Sequence, residues 1–147
     1  MKVIININDL IELKELYRKF KNVEIGGTLI GYRSKDEYII TNIIYDNYIG
    51  ENLKKYSYIR NIENLKGKMI SCINSNKGID YIGEWHTHPN SKSIYSKTDE
   101  KTMENLVEDF NELLLLICGI DEVSVYIFKK NNFVKKLVIE ERENDSE

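Results

Sequence analysis

The sequence predicts one α/β domain in which a mixed sheet is sandwiched by helices. Three observations predict it. The chain has 147 residues, one domain's length and enough for a real core. Strand-like runs alternate with segments whose apolar residues recur at helical spacing. Turn-like stretches join paired strands near both ends, so the sheet is not purely parallel.

Taken in order, Val3 to Ile7 reads as a strand. Asn8 or Asp9 is suited to cap the helix that follows. Leu10, Leu13, Leu16, Tyr17 and Phe20 fall on one face of that helix, a core-facing stripe. Residues 23–32 read as a strand with glycines, where Gly26-Gly27 either admits a close backbone neighbour or marks a bulge. Ser34-Lys35-Asp36 is a turn and Tyr38 to Tyr45 is β-rich, so 23–45 reads as a hairpin. Residues 46–56 are polar and irregular. A helix is expected over 57–76, with Ile59, Ile62, Leu65, Met69, Ile70 and Ile73 at helical period.

Tyr81 to His86 reads as a strand, and Pro89, the chain's only proline, stops regular pairing soon after it. A short polar loop, 90–95, leads to a helix over 98–110 with Met103, Leu106, Val107 and Phe110 on one face. Leu113 to Cys118 is apolar on both faces and reads as a buried strand. Glu122 to Lys129 is the next strand, and Lys130-Asn131-Asn132 turns the chain into a last one, Phe133 to Ile139. The domain is thus expected over 1–139. Glu140 to Glu147 reads as a charged, disordered tail.

Composition narrows the function. Hydrophobic residues are 41% and charged residues 31%, an ordinary balance. The net charge of −3, with both signs interspersed, argues against a nucleic-acid partner. The longest apolar run has six residues, Leu113 to Cys118, against about twenty needed to span a membrane. Lys2 begins no signal peptide. Cys72 and Cys118 form no close-spaced motif and read as reduced thiols of a cytoplasmic protein.

The chemistry is concentrated in Gly83-Glu84-Trp85-His86-Thr87-His88-Pro89 and Ser96-Lys97-Thr98-Asp99. Both histidines of the chain are here, two residues apart. In extended backbone their side chains share one side and converge on one small ion. Asp99 can return to the same point by a turn. Two imidazoles and a carboxylate, with a fourth position open, is how a catalytic zinc site is built. Ser-x-x-Asp also reads as a capping box at a helix start, with Asp in place of the usual Glu or Gln. The readings are compatible, because a ligand in the first helical turn is rigidly held.

With Glu24 in Val23-Glu24-Ile25-Gly26-Gly27 upstream, these residues resemble the motif of the JAMM (MPN-plus, Mov34-type) metalloproteases. That motif is a distant Glu, then His-x-His-Pro, then Ser-x-x-Asp. The resemblance covers residues 10–130. Glu84 and Trp85 depart from the many members with Trp two residues before the first histidine. The Gly-Glu-Trp-His-Thr-His-Pro form is more similar to compact bacterial members encoded beside ubiquitin-like conjugation enzymes, including those of anti-phage signalling operons.

The resemblance implies a curved mixed sheet flanked by helices, in the manner of the cytidine-deaminase sandwich, with one zinc ion at its edge. It implies His86, His88 and Asp99 as metal ligands, Glu24 as general base, and Ser96 as donor to the developing oxyanion. The implied activity is an isopeptidase that frees a ubiquitin-like or conjugated signalling protein from a target lysine. Such a partner presents an extended C-terminal tail. The tail would add as a strand to an open sheet edge, supplied by strand 23–32 near Gly27 or by the segment after Pro89. Glu84 stays open as a rival base, a partner for a histidine or a surface charge, and Trp85 reads as core. Two other readings remain: trimming of a ubiquitin-like or sulfur-carrier precursor, and a non-catalytic scaffold. A DNA-repair relative with His-x-His-Pro-Ser-Gly is disfavoured by Asn90-Ser91.

Overall fold

The structure, a computed structural model, describes residues 1–46, 62–75 and 78–143. The polar stretch from residue 47, Ile59 and the rest of the expected helix start, and the tail from residue 144 lie outside them.

Ten elements follow in the order β1 (Lys2–Asn6), α1 (Ile7–Lys19), β2 (Gly26–Ser34), β3 (Glu37–Tyr45), α2 (Ile62–Ser75), β4 (Asp80–Thr87), α3 (Lys97–Phe110), β5 (Glu112–Cys118), β6 (Val123–Lys129) and β7 (Phe133–Arg142). The alternation of strands and helices is as expected. Most boundaries shift by a residue or so, Ile7 among them, which starts α1 and not the end of β1; three shifts bear on the fold. The cap of α1 is Asn6, whose Oδ1 accepts the Asn8 N–H at 2.8 Å, so the helix starts before Asn8 and Asp9. The hairpin strand begins at Gly26, leaving Val23 to Ile25 as an irregular approach. The last strand runs on through Glu140, Glu141 and Arg142, which pair with Ile4, Ile5 and Asn6 of β1. Those three residues are strand because a partner satisfies their backbone groups, whatever their side-chain charge.

The sheet also closes. Its order is β1-β3-β2-β4-β5-β6-β7, and β1 pairs in parallel with both β3 and β7. The mixed α/β class is as expected, but a closed barrel replaces the open, curved sheet with an edge. The physical reason is that β1 uses both of its sides and joins what would have been two edges.

Two apolar clusters hold the fold. One draws on all seven strands and on Leu10 and Leu13 of α1, with Trp85 fully buried in it. The other lies where α3 (Met103, Val107) covers one face of β5 and β6, through Leu113, Leu115, Ile117, Tyr126 and Phe128. Strand β5 serves both clusters by alternation, which explains its unbroken apolar run. The β6–β7 turn, three residues between the paired Lys129 and Phe133, uses Asn131 and Asn132 at positive φ, 69° and 62°, a conformation asparagine tolerates better than most residues. Among the described residues no helix is long and apolar enough to cross a membrane.

Candidate metal centre

Strand β4 delivers the first histidine. Glu84 and His86 stand opposite Leu115 and Ile117 of β5, on the face that α3 covers, whereas Trp85 belongs to the other cluster. Trp85 is inaccessible, and its Nε1–H donates to the Ile44 carbonyl at 2.9 Å, as a core role requires. Past the strand end, the His88 N–H donates to the Cys118 carbonyl at 2.9 Å, which keeps the backbone alongside β5. The two imidazoles therefore converge, with their Nε2 atoms 3.0 Å apart.

Asp99 arrives from α3. Ser96 is the N-cap: its Oγ accepts the Asp99 N–H at 3.0 Å, and its own N–H donates to Asp99 Oδ2 at 2.9 Å. This is the reciprocal capping box, with aspartate filling the glutamate's place. The same Oδ2 lies 3.1 Å from His88 Nε2 and 3.3 Å from His86 Nε2.

The three donor atoms thus form a triangle with sides of 3.0, 3.1 and 3.3 Å. A tetrahedral zinc ion bound at roughly 2.0–2.1 Å has ligand atoms about 3.3–3.4 Å apart. The triangle matches one face of that tetrahedron to a few tenths of an ångström and leaves the fourth corner over. Donor chemistry fits as well, since two nitrogens and one oxygen suit a borderline ion. His88 Nδ1 lies 3.2 Å from the Lys92 carbonyl. A carbonyl only accepts, so Nδ1 carries the hydrogen and Nε2 presents its lone pair to the triangle.

Charge is strongly coupled here. Burial works against protonation of His88, but hydrogen bonding and charge from Asp99, the Lys92 carbonyl and the charge of Glu24 raise its pKa above the ordinary value. Burial likewise pushes Asp99 upward, but hydrogen bonding with His86 and His88, the charge of His86 and the Ser96 N–H pull its carboxyl far below the usual range. The pocket is therefore built to hold a carboxylate beside positive charge.

Residues 12–135 match the family described as prokaryotic homologs of the JAB domain. The chain belongs to that family. The matched span includes Glu24, His86, His88, Ser96 and Asp99, so the JAMM resemblance carried by these residues holds. This JAB-domain chain is 29% identical over 143 residues to a protein of Escherichia coli (strain TW11681) named CD-NTase/cGAS isopeptidase. The alignment covers 91% of this chain and 86% of the relative. The solution structure of a Desulfitobacterium hafniense protein has the same fold, with a TM-score of 0.74 at 19% identity, covering 97% of this chain and 94% of that one.

The remaining predicted residues of this JAB domain fall as follows. Glu24 is half-buried in the approach to β2. Its neighbour Ile25 is tied to Thr87: the Ile25 N–H donates to Thr87 Oγ1 at 3.1 Å and the Ile25 carbonyl accepts the Thr87 N–H at 2.8 Å. Glu24 therefore sits beside the strand end that carries the ligands, close enough for its charge to act on His88. Gly27 is not at an edge. Strand β2 pairs with β3 on one side and β4 on the other, and a Cβ at Gly27 would stand 1.8 Å from the Ile44 oxygen and 2.9 Å from Trp85 Nε1. Its glycine is required for close backbone approach, which corrects the edge expected at strand 23–32. Glu84 is not a surface charge: it is 5% exposed and accepts a hydrogen bond from the Tyr81 hydroxyl. The motif does not reveal the backbone partner of His88, the Lys92 carbonyl, because a carbonyl has no sequence signature.

Proposed function

We propose that this JAB-domain protein is a zinc-dependent isopeptidase. It cuts the bond between the C-terminus of a ubiquitin-like or other conjugated signalling protein and a lysine side chain of its target. The observation that carries the reading is the donor triangle of His86, His88 and Asp99. The name of the Escherichia coli relative supports the isopeptidase class and a protein partner. One zinc ion per chain is the cofactor that suits the triangle.

His86, His88 and Asp99 would hold the zinc ion, which would supply Lewis acidity for activating water and polarising the scissile carbonyl. The chain's own groups do the rest. Glu24 takes a proton from the attacking water as the C–O bond forms, and hands it to the lysine nitrogen as the C–N bond breaks. The Ser96 Oγ already accepts from the Asp99 N–H, so its hydroxyl hydrogen is what it can offer to the carbonyl oxygen as charge develops there. Asp99, inside the capping box, holds the triangle rigid through the cycle. Of the two edges expected for the extended tail, only the segment after Pro89 is not flanked by strands on both sides.

The test is cleavage of a lysine-linked conjugate and of a linear fusion of the same ubiquitin-like protein. Wild type, Glu24→Gln and chelator-treated protein are compared, with metal content measured on each. Cleavage by wild type alone, with one zinc retained in Glu24→Gln, is the expected result. Preference for the linear fusion would point to precursor trimming. Zinc bound with neither substrate cut would point to a scaffold.

A further inference from the structure

We infer that Asp121 is a positioning residue of the metal centre: through the Lys92–Ser93 peptide it sets the imidazole of His88 and so the direction of the Nε2 lone pair. This rests on the reading of His88 as a metal ligand.

Three observations meet on that one peptide. Its carbonyl, from Lys92, is the acceptor 3.2 Å from His88 Nδ1. Its N–H, from Ser93, donates to Asp121 Oδ1 at 3.0 Å. The two groups lie in one plane because the peptide bond does not rotate, so whatever holds the N–H aims the carbonyl. The third observation is Gly119. A Cβ there would stand 2.4 Å from the Ser93 nitrogen and 2.7 Å from the Lys92 carbonyl carbon, so only glycine lets the β5–β6 turn press against this peptide.

The turn is itself anchored. Asp121 Oδ1 also accepts the Glu122 N–H at 2.8 Å, and the Ile120 N–H donates to the Ser91 carbonyl at 2.7 Å. On the far side of Ser93, its carbonyl accepts the Tyr126 hydroxyl at 2.7 Å, and its Oγ meets Ser124 Oγ at 2.7 Å in a buried pair. The peptide is thus clamped at every polar group, with a carboxylate at one end and an imidazole at the other. Hydrogen bonds in series polarise one another, so the Asp121 charge makes the Lys92 carbonyl a stronger acceptor and His88 a more basic ligand. Burial pushes the Asp121 carboxyl up, but the N–H groups of Ser93 and Glu122 outweigh it and hold the carboxyl below its ordinary range.

The experiment measures zinc affinity of the whole chain by competition with a chromophoric chelator, for wild type, Asp121→Ala, Asp121→Asn and Gly119→Ala. Thermal melts of each metal-free form and the His88 Nδ1–H resonance of each zinc-loaded form accompany it. Asp121→Ala is expected to lose about 10–100-fold in affinity, as removal of a ligand's outer partner does. Its metal-free melt should move little, and its Nδ1–H should exchange faster with solvent. Asp121→Asn keeps an acceptor oxygen and should recover most of the affinity. Gly119→Ala should weaken zinc in the same range by displacing the same peptide. Wild-type affinity in both Asp121→Ala and Gly119→Ala, with an unchanged Nδ1–H, would overturn the inference and leave the metal site standing. A wild type that binds no zinc would overturn both.

Discussion

Asp99 Oδ2 accepts the N–H that starts α3 and also faces both histidine Nε2 atoms, so a helix start and the candidate metal site share one atom. Ser96→Ala tests two duties of the serine beside it, cap and oxyanion donor. Loss of the cap is expected to cost about 1 kcal/mol of stability. Loss of an oxyanion donor should lower kcat about 10²–10³-fold. A melt and a rate on the same protein tell them apart, since a serine that only caps leaves kcat of the folded enzyme intact. The pKa shifts set a second expectation. Without metal, the raised His88 pKa adds stability below its ordinary value of 6.5 that is lost as pH rises through the raised value. The lowered Asp99 adds stability above its ordinary value of 3.8 that is lost only as pH falls towards its depressed one. Zinc needs His88 neutral, so proton and metal compete. The gap in melting temperature between zinc-loaded and chelated protein should therefore widen from about pH 5 to pH 8, with the metal-free form losing stability across the same range. A gap independent of pH would refute the assignment of His88. At this scale the donor triangle was legible because short spacings carry it: one residue between the histidines, a single helical turn from Ser96 to Asp99. Asp121 was not legible, because it acts through a backbone carbonyl and across a loop.

At the scale of elements, β2 shows how position in a sheet decides what a glycine is for. Gly27→Ala places a methyl group 1.8 Å from the Ile44 oxygen. The β2–β3 ladder must then open, at an expected cost of about 3 kcal/mol or more. Zinc content and cleavage should fall together with the folded fraction, measured by urea titration, and not substrate processing alone. Strand existence was legible from alternation and apolar runs, and β5 announced its burial on both faces. Pairing was not, because a period of two tells which side a residue faces and nothing about which strand lies beside it. Sequence alone therefore leaves 23–32 free to be an edge, which its pairing with β3 and β4 rules out. Glu84 is a similar case: its face follows from counting back two residues from His86, but its burial depends on α3 lying over that face.

For the whole molecule, closure by β1 changes where the domain ends. Glu140, Glu141 and Arg142 look like a tail in sequence, since three charged residues carry no apolar signal, yet they complete the parallel pairing with β1. A protein ended after Ile139 should lose roughly 2–4 kcal/mol, at about 1 kcal/mol net for each ladder hydrogen bond removed. The exposed Lys2–Glu140 ion pair at 2.7 Å adds little to that. A urea midpoint unchanged by the truncation would contradict it.

The same pairing governs how the protein is made. Among the described elements, β1 is synthesised first and β7 last, yet they are neighbours, and β1 has no partner on that side until Arg142 has left the ribosome. The nascent chain can assemble the β2–β3 hairpin early, but the barrel stays open until translation has passed β7. During that interval one flank of β1 is exposed to other chains, and a stall in the reading of β7 would lengthen it.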